Sequence, residues 1–452
     1  MGWKSYKDLF KLGLPIMVGQ LGIIFLSFAD TMMIGHYGTM ELGAAGFVNN
    51  IFNLVIIFST GFSYGLTPVV GGDFGRGDLH GTGRDLKNSM VLNIILSFVL
   101  IGIMYIFYLN IHLMGQPQEL LHLIRPYYAV LLISIPFILI FSTFKQFLEG
   151  VTDSVTPMVF LLAGNCINVF LNWVLIYGNV GFPEMGLIGA GVATLVSRVL
   201  MAVALIVVFM TKKYYAPFRE GFNSSAADIP SMRTLFKTGM PVGLQMGMET
   251  ASFNLSTIMV GWLGTMALAS HQVMLTVGQL GYMLYYGMAA AVAVLASNCC
   301  GRGEYHQMQR YVNAGFRIIM VMALCASLTL VLLKDYIGGF FSESQEVGVM
   351  VASLVLPFVL YQFGDGLQCN YSNALRGIND VKRVPLYAFI AYFVISLPSA
   401  YIFGFVCRWG LVGIWFSFPL GLTSAGIMFY LRYSKRLALF SDRTFPEGDR
   451  VE

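Results

Sequence analysis

Twelve runs of about 20 or more mostly apolar residues fill the chain, near 10–35, 44–72, 88–109, 122–149, 155–178, 186–211, 236–262, 266–299, 311–333, 347–374, 384–406 and 410–432. A bilayer core about 30 Å thick takes roughly 20 residues as a helix but only about 9–11 as a barrel strand. Lipid offers no partners to backbone polar groups, so only helices and closed barrels span it. Runs this long therefore select helices, and the expected class is an all-α membrane protein with twelve transmembrane helices. The chain is 57% hydrophobic and 11% charged, against about 25% charged in a soluble domain.

Lys4, Lys7 and Lys11 precede the first run in the manner of a signal peptide. That run is too long for one, has no small-residue cleavage site and recurs mid-chain, so it reads as a span. Of 27 Lys and Arg, all but Arg125, Arg198, Lys334 and Arg408 fall at the termini or around the loops after even-numbered spans. The positive-inside rule then places both termini in the cytoplasm. The net charge of +4 reflects this bias and gives no reason to expect nucleic-acid binding. Cys166, Cys299, Cys300, Cys325, Cys369 and Cys407 lie in or at the ends of spans, without a CxxC pattern, and read as small reduced fillers.

The chain repeats itself. LFKLGLP (9–15) returns as LFKTGMP (235–241), IGHYGTMEL (34–42) as VGWLGTMAL (260–268), and FGRGD (74–78) as CGRGE (300–304), all at an offset of 226. LEGVTD (148–153) returns as LRGIND (375–380) at 227. The expected organisation is an amino-terminal lobe 1–211 with spans 1–6, a cytoplasmic linker 212–234, a carboxy-terminal lobe 235–435 with spans 7–12, and a cytoplasmic tail 436–452. Six spans is an even number, so the lobes share one orientation and a pseudo-twofold axis along the membrane normal. Parallel repeats of this kind mark transporters, with substrate handled near the midplane where the repeats meet.

The intramembrane acids are private to each half. Asp30 aligns with Ser256, Glu249 with Ile23, and Asp365 with Leu139, or with Ile138 at the later offset. An acid at the centre of a span costs about 2.5–3.5 kcal/mol on insertion scales, so it usually has a use. Glu249 lies in QMGMETASFN, and Asp365 in LYQFGDGLQCN with Tyr361 one helical turn earlier. Two carboxylates and a phenol make a hard-oxygen set suited to a small cation or to exchangeable protons. In the first half, Asn165, Asn168 and Asn172 recur along one helix face, and Thr194 lies in the next span. With Asp30 they can form a second polar site, or serve as interhelical hydrogen-bonding glue. Arg198 sits mid-span with three readings open: snorkelling, pairing with an acid, or contact with lipid head groups. His271 near a span end reads as structural. No GxxxxGK[ST], GxSxG or HExxH signature is present, so neither ATP hydrolysis nor another enzymatic activity is expected.

LPIMVGQLG, ADTMMIGHYG, the GRGD and GRGE loops, LEGVTD, NVFLNWVLIYG, GAGVATLVSR, ASHQV and NALRGIND follow one another across residues 5–435. In their order and placement they resemble the MATE (multidrug and toxic compound extrusion) transporters, and the NorM-like branch in particular. The resemblance implies two six-helix bundles facing each other in a V, and export of organic cations and drugs driven by inward Na+ or H+. Glu249, Asp365 and Tyr361 match the cation site described for that branch. Asp30, Asn168, Asn172 and Thr194 match the polar cluster of the amino-terminal lobe. DinF-like relatives carry an aspartate where this chain has Asn172 and lack acids like Glu249 and Asp365. The expectation is a monomeric antiporter in the bacterial inner membrane, with Na+ as coupling ion and H+ as the alternative, no further cofactor, and small organic cations as substrates. Two other readings stand beside it: a flippase for lipid-linked oligosaccharides, and a membrane-embedded lipid-modifying transferase.

Overall fold

The structure is a computed structural model that describes residues 3–114, 117–341 and 344–444. Among these there is no strand. The helices are α1 (Trp3–Tyr37), α2 (Thr39–Ser63), α3 (Leu66–Arg76), α4 (Leu79–Leu109), α5 (Gln118–Gly150), α6 (Val155–Tyr177), α7 (Gly186–Thr211), α8 (Ala216–Ser224), α9 (Ile229–Gly261), α10 (Thr265–Arg302), α11 (Tyr305–Phe341), α12 (Gln345–Ser353), α13 (Val355–Gly377), α14 (Val384–Phe389), α15 (Leu397–Tyr401) and α16 (Gly410–Thr444). Each of the twelve apolar runs lies on a long helical segment. Ten such segments are long and apolar enough to cross a membrane, and the bent pair α12–α13 makes an eleventh. The twelfth run lies on α9, whose 33 residues reach about 50 Å at 1.5 Å per residue. Its polar Gln245, Glu249, Thr250, Ser252, Asn254 and Ser256 set it apart from the others. The helices turn large apolar side chains outward, among them Phe98 at 66% exposure and Leu332 at 77%. Such faces suit hydrocarbon and would be a liability in water.

Interruptions in the helices have local causes. The α12–α13 pair bends by 48° at Leu354, three residues before Pro357. The proline ring clashes with the carbonyl four residues back, at Ser353, where α12 ends. Pro398 similarly sits in α15 between two π-helical stretches, Ile390–Ser396 and Ile402–Val406. Pro15, Pro136 and Pro241 lie inside α1, α5 and α9.

The repeat is visible in the backbone. α3 and α10 end on Gly77 (φ 79°) and Gly303 (φ 74°), the same left-handed position 226 residues apart. Asp78 N–H then donates to Asp73 O at 3.0 Å, and Glu304 N–H to Cys299 O at 2.9 Å. After α5 and α13 the left-handed residues are Thr152 (φ 67°) and Asn379 (φ 57°), followed by Asp153 N–H to Leu148 O at 2.8 Å and Asp380 N–H to Leu375 O at 2.9 Å. All four are the i+5 to i bond that closes a Schellman C-cap.

The chain divides into two compact units: 18–243, and 1–17 with 244–452. Relative to the two halves of the sequence there is one exchange. The first part of α1 belongs with the second half, and the first part of α9 with the first. In the second unit, Gly13 lets α1 approach Met288, where an added Cβ would stand 3.0 Å from its Sδ. There Asp8 also accepts from Tyr311 Oη at 2.7 Å.

The linker 212–234 is folded within unit 18–243. α8 buries Phe218 and Phe222 and lies backbone to backbone on α4: a Cβ on Gly83 would fall 1.9 Å from Phe218 O, and one on Gly221 2.0 Å from His80 O. Asp228 then caps α9, accepting from Ser231 N–H at 2.9 Å and from Asn88 Nδ2 at 2.9 Å. The Ser231 N–H bond, first among its contacts, holds the Asp228 carboxyl below its ordinary range.

The tail expected from 436 onward remains helical to Thr444. Asp380 explains part of this. Its carboxylate accepts from Arg432 Nε and Arg436 Nε, both at 2.7 Å, and Tyr305 stacks on Phe440 at 4.6 Å. Burial alone would push the Asp380 carboxyl up, but the guanidiniums of Arg436 and Arg432 outweigh it and hold it low. A depressed carboxylate contributes stability above its unfolded pKa of about 3.9 and loses it as pH falls through the folded value. Asp380→Ala is expected to cost about 2 kcal/mol at pH 7, below the range for fully buried pairs because Arg436 is partly exposed. Thermal melts of wild type and variant at pH 7 and pH 3 check this, since the gap must narrow at the lower pH.

Candidate functional site

Among the buried polar side chains of each unit is a group built around the acids expected from the sequence. In unit 18–243, α1 brings Asp30 against α6. Asn172 Nδ2 donates to Asp30 Oδ1 at 2.5 Å and to Asn168 Oδ1 at 3.0 Å. Asn168 Nδ2 lies 3.4 Å from Thr194 Oγ1 and 3.2 Å from Ser197 Oγ on α7. The Asn168 amide satisfies its neighbours better in the opposite sense: its nitrogen then donates to Asp30 Oδ1 at 2.9 Å and its oxygen accepts from Ser197 Oγ at 3.2 Å. The four-residue spacing of 168 and 172 on α6 makes this fork possible. Asn165 turns to α1 instead, donating to Gly22 O at 2.9 Å. The four residues expected together, Asp30, Asn168, Asn172 and Thr194, are therefore in one connected cluster.

Arg198 is directed inward. Its Nη1 donates to buried Ser134 Oγ at 2.7 Å, and it lies within the electrostatic reach of Asp30 and Tyr127. It makes no ion pair within the described residues, so of its three readings direct pairing with an acid is not seen, and its contact is the Ser134 hydroxyl.

In the second unit, α9, α10, α13 and the π-helical stretch 390–396 meet around two acids. Gln368 Nε2 donates to Glu249 Oε2 at 3.0 Å. Asp365 is 1% exposed and within electrostatic reach of Glu249. Its Oδ2 and the Oε1 of Gln368 are buried without hydrogen-bond partners. Tyr361 lies near both acids, its ring held by Phe253, Phe358 and Trp415 at centroid distances of 6.3, 5.4 and 6.3 Å. Tyr285 Oη donates to Gln362 Oε1, and Tyr392 comes from the π-helical stretch to face the same acids. The donors are carboxylate, amide and phenol oxygens, which suit a hard cation and not a soft transition metal. Two buried oxygens without partners are what such an ion or a proton would satisfy. Among the described residues no group of three or more His, Cys, Asp or Glu side chains is placed to hold a metal ion.

Sequence reasoning did not single out Gln368, Tyr285, Gln362, Tyr392 or Ser197. The signal for Gln368 was present, three residues after Asp365 on the same helical face. Tyr285 and Tyr392 gave none, because a tyrosine in an apolar run reads as filler until its helix is packed. His271 is buried, with Nε2 3.0 Å from Thr257 Oγ1 and its ring against Trp415 and Phe418.

Comparison with known proteins agrees with this architecture. The profile of the MatE family matches residues 15–174 and 241–402, one copy in each half. The chain is 29% identical over 439 residues to a protein of Photorhabdus laumondii described as a probable multidrug resistance protein NorM, covering 95% of both. It superposes with a TM-score of 0.87 on an outward-facing multidrug resistance MATE family transporter of the MOP superfamily, at 20% identity and 97% coverage of both chains. The TM-score is also 0.87 for a eukaryotic MATE transporter, at 18% identity over 98% of this chain and 99% of that one. With a family profile matched over most of its length, in two copies that follow its internal repeat, and with its fold shared by solved transporters, this multi-pass membrane protein belongs to the MatE family.

Proposed function

We propose that the chain is a multidrug exporter working as a cation-coupled antiporter. The observation that carries the reading is the Glu249–Gln368–Asp365 group, with buried acceptor oxygens left without partners. A coupling ion needs a site that is poor when empty and good when filled. Carboxylate oxygens held in a dry surrounding meet that need, because the charge they carry is costly until a cation neutralises it. Na+ is the ion proposed for this group. The Asp30–Asn172–Asn168 cluster is the place for a proton, since two amide donors can hold the carboxylate and release it on protonation.

Transport then follows from linkage. An ion bound from outside favours the state that releases drug outward, and drug bound from inside favours the state that releases the ion inward, by the same factor. The two compact units supply the parts that alternate, with both termini in the cytoplasm of a bacterial inner membrane. Organic cations are the substrate class proposed, since relatives are described as multidrug resistance proteins and this interior offers acids.

The test uses purified protein in liposomes, following ethidium under an imposed Na+ gradient and then a proton gradient, each alone. Movement with Na+ alone supports the second-unit site. Movement with protons alone transfers the coupling to Asp30. Movement with neither overturns the reading and brings forward the lipid-linked oligosaccharide flippase.

A further inference from the structure

A groove unconnected with either acid cluster opens where two spans of unit 18–243 end. Its volume is about 830 Å³, and its walls include His80 from the start of α4, Met210 from the end of α7, and Arg219, Glu220, Asn223 and Ser224 from α8. The floor is rigid because α8 rests on α4 through Gly83 and Gly221, with no room for a Cβ on either. Ser224 is spent within the wall: its hydroxyl donates to Glu220 O and lies 2.9 Å from His80 Nε2. The side chains of Arg219 and Glu220 form no ion pair or hydrogen bond with any described residue. The groove thus presents one free guanidinium and one free carboxylate beside the Asn223 amide.

The approach to the groove is apolar. Val203, Val207 and Met210 are 47%, 50% and 37% exposed, and their spacing places them along one face of α7. Met210 ends this track and forms part of the groove wall. A chain of hydrocarbon lying along α7 would therefore deliver its polar end to Arg219 and Glu220.

We propose that this groove binds one phospholipid whose head group carries both a phosphate and a primary ammonium, as in phosphatidylethanolamine. The phosphate meets Arg219, whose fork of N–H donors fits phosphate oxygens. The ammonium has three N–H donors for Glu220 and the Asn223 carbonyl. Charge complementarity discriminates against the other common head groups. Phosphatidylcholine has no N–H to offer Glu220. Phosphatidylglycerol has no cation, and its phosphate would face the Glu220 carboxylate unrelieved.

The experiment reconstitutes the full chain in vesicles of equal parts phosphatidylethanolamine, phosphatidylcholine and phosphatidylglycerol, then counts retained lipids by native mass spectrometry. The wild type is expected to retain phosphatidylethanolamine about tenfold over phosphatidylcholine, the scale of one charge-assisted hydrogen bond. Arg219→Gln/Glu220→Gln is expected to lose that preference, and Glu220→Gln alone to lose the discrimination against phosphatidylglycerol. Arg302→Gln/Glu304→Gln removes an exposed pair at the end of α10 and is expected to behave as wild type. Equal retention of phosphatidylethanolamine and phosphatidylcholine by the wild type would overturn the proposal. So would preferred retention of phosphatidylglycerol, or an unchanged preference in the folded Arg219→Gln/Glu220→Gln variant.

Discussion

Sodium-driven export is expected to vanish in the Glu249→Gln/Asp365→Asn double variant, while the protein still folds and inserts. The size of the effect follows from the driving force. One charge moving inward across 100 mV yields about 2.3 kcal/mol, and a tenfold ion gradient adds about 1.4 kcal/mol. A monovalent organic cation such as ethidium leaving one for one carries its charge back out, so the potential cancels and the ion gradient alone supports an outward accumulation of about tenfold. The variant keeps the shape of both side chains and the Gln368 contact partner, but has no charge to hold the ion. Its accumulation ratio is expected to fall to about 1 under the same gradient, measured with ethidium in proteoliposomes. Wild-type accumulation in the variant would remove Glu249 and Asp365 from the coupling. Folding is expected to survive because neutralising buried acids relieves the cost of keeping charge away from water.

The second large effect is structural. Gly65→Val is expected to destabilise unit 18–243 by about 3 kcal/mol, the upper end for overpacking. Between α2 and α3 the chain passes α9 so closely that a Cβ on Gly65 would stand 2.4 Å from Gly239 Cα, and one on Gly239 2.4 Å from Phe62 O. Gly65 has φ −64°, a value open to any residue, so the penalty is steric and not conformational. Both obstacles are backbone, which cannot swing aside as a side chain does. A fall of roughly 6–12 °C in apparent melting temperature is expected in detergent, by the scaling for units of 150–250 residues. Gly46, whose Cβ would meet nothing within 4 Å, provides the control: Gly46→Ala is expected to melt no lower than the wild type, since alanine is the better helix former. A Gly65→Val protein that also melts with the wild type would show that α9 can retreat at this crossing.

Particular residues show where sequence reading succeeds and where it stops. The spans were legible because lipid demands about 20 apolar residues in a row, and the repeat because glycines and prolines recur at matched turns and helix ends. Gly77 and Gly303 are the clearest case, two left-handed helix ends at matched positions. The Asp30 cluster was legible from the four-residue spacing of Asn168 and Asn172. Tyr392 faces Glu249 from a π-helical stretch, and no local pattern encodes which helices will meet. The exchange of half-helices was invisible for a related reason. A repeat shows that two segments are equivalent, but not which copy of their surroundings each will pack against.

That exchange takes place at matched points. α1 changes unit after Met17 and α9 after Gly243, positions 226 residues apart. They are equivalent in sequence but not in the order of synthesis. When residues 229–243 leave the ribosome, their neighbours in 18–228 are already made and waiting. Residues 1–17 are made first, yet their contacts at Met288 and Tyr311 come 275 and 303 residues after Gly13 and Asp8. The first half-helix must therefore lodge in the membrane without its final neighbours until most of the chain has been translated. By the logarithmic scaling of loop closure this span costs only about 0.5 kcal/mol more than the one that separates Gly65 from Gly239. The burden is one of waiting, and it falls on the copy that is made first.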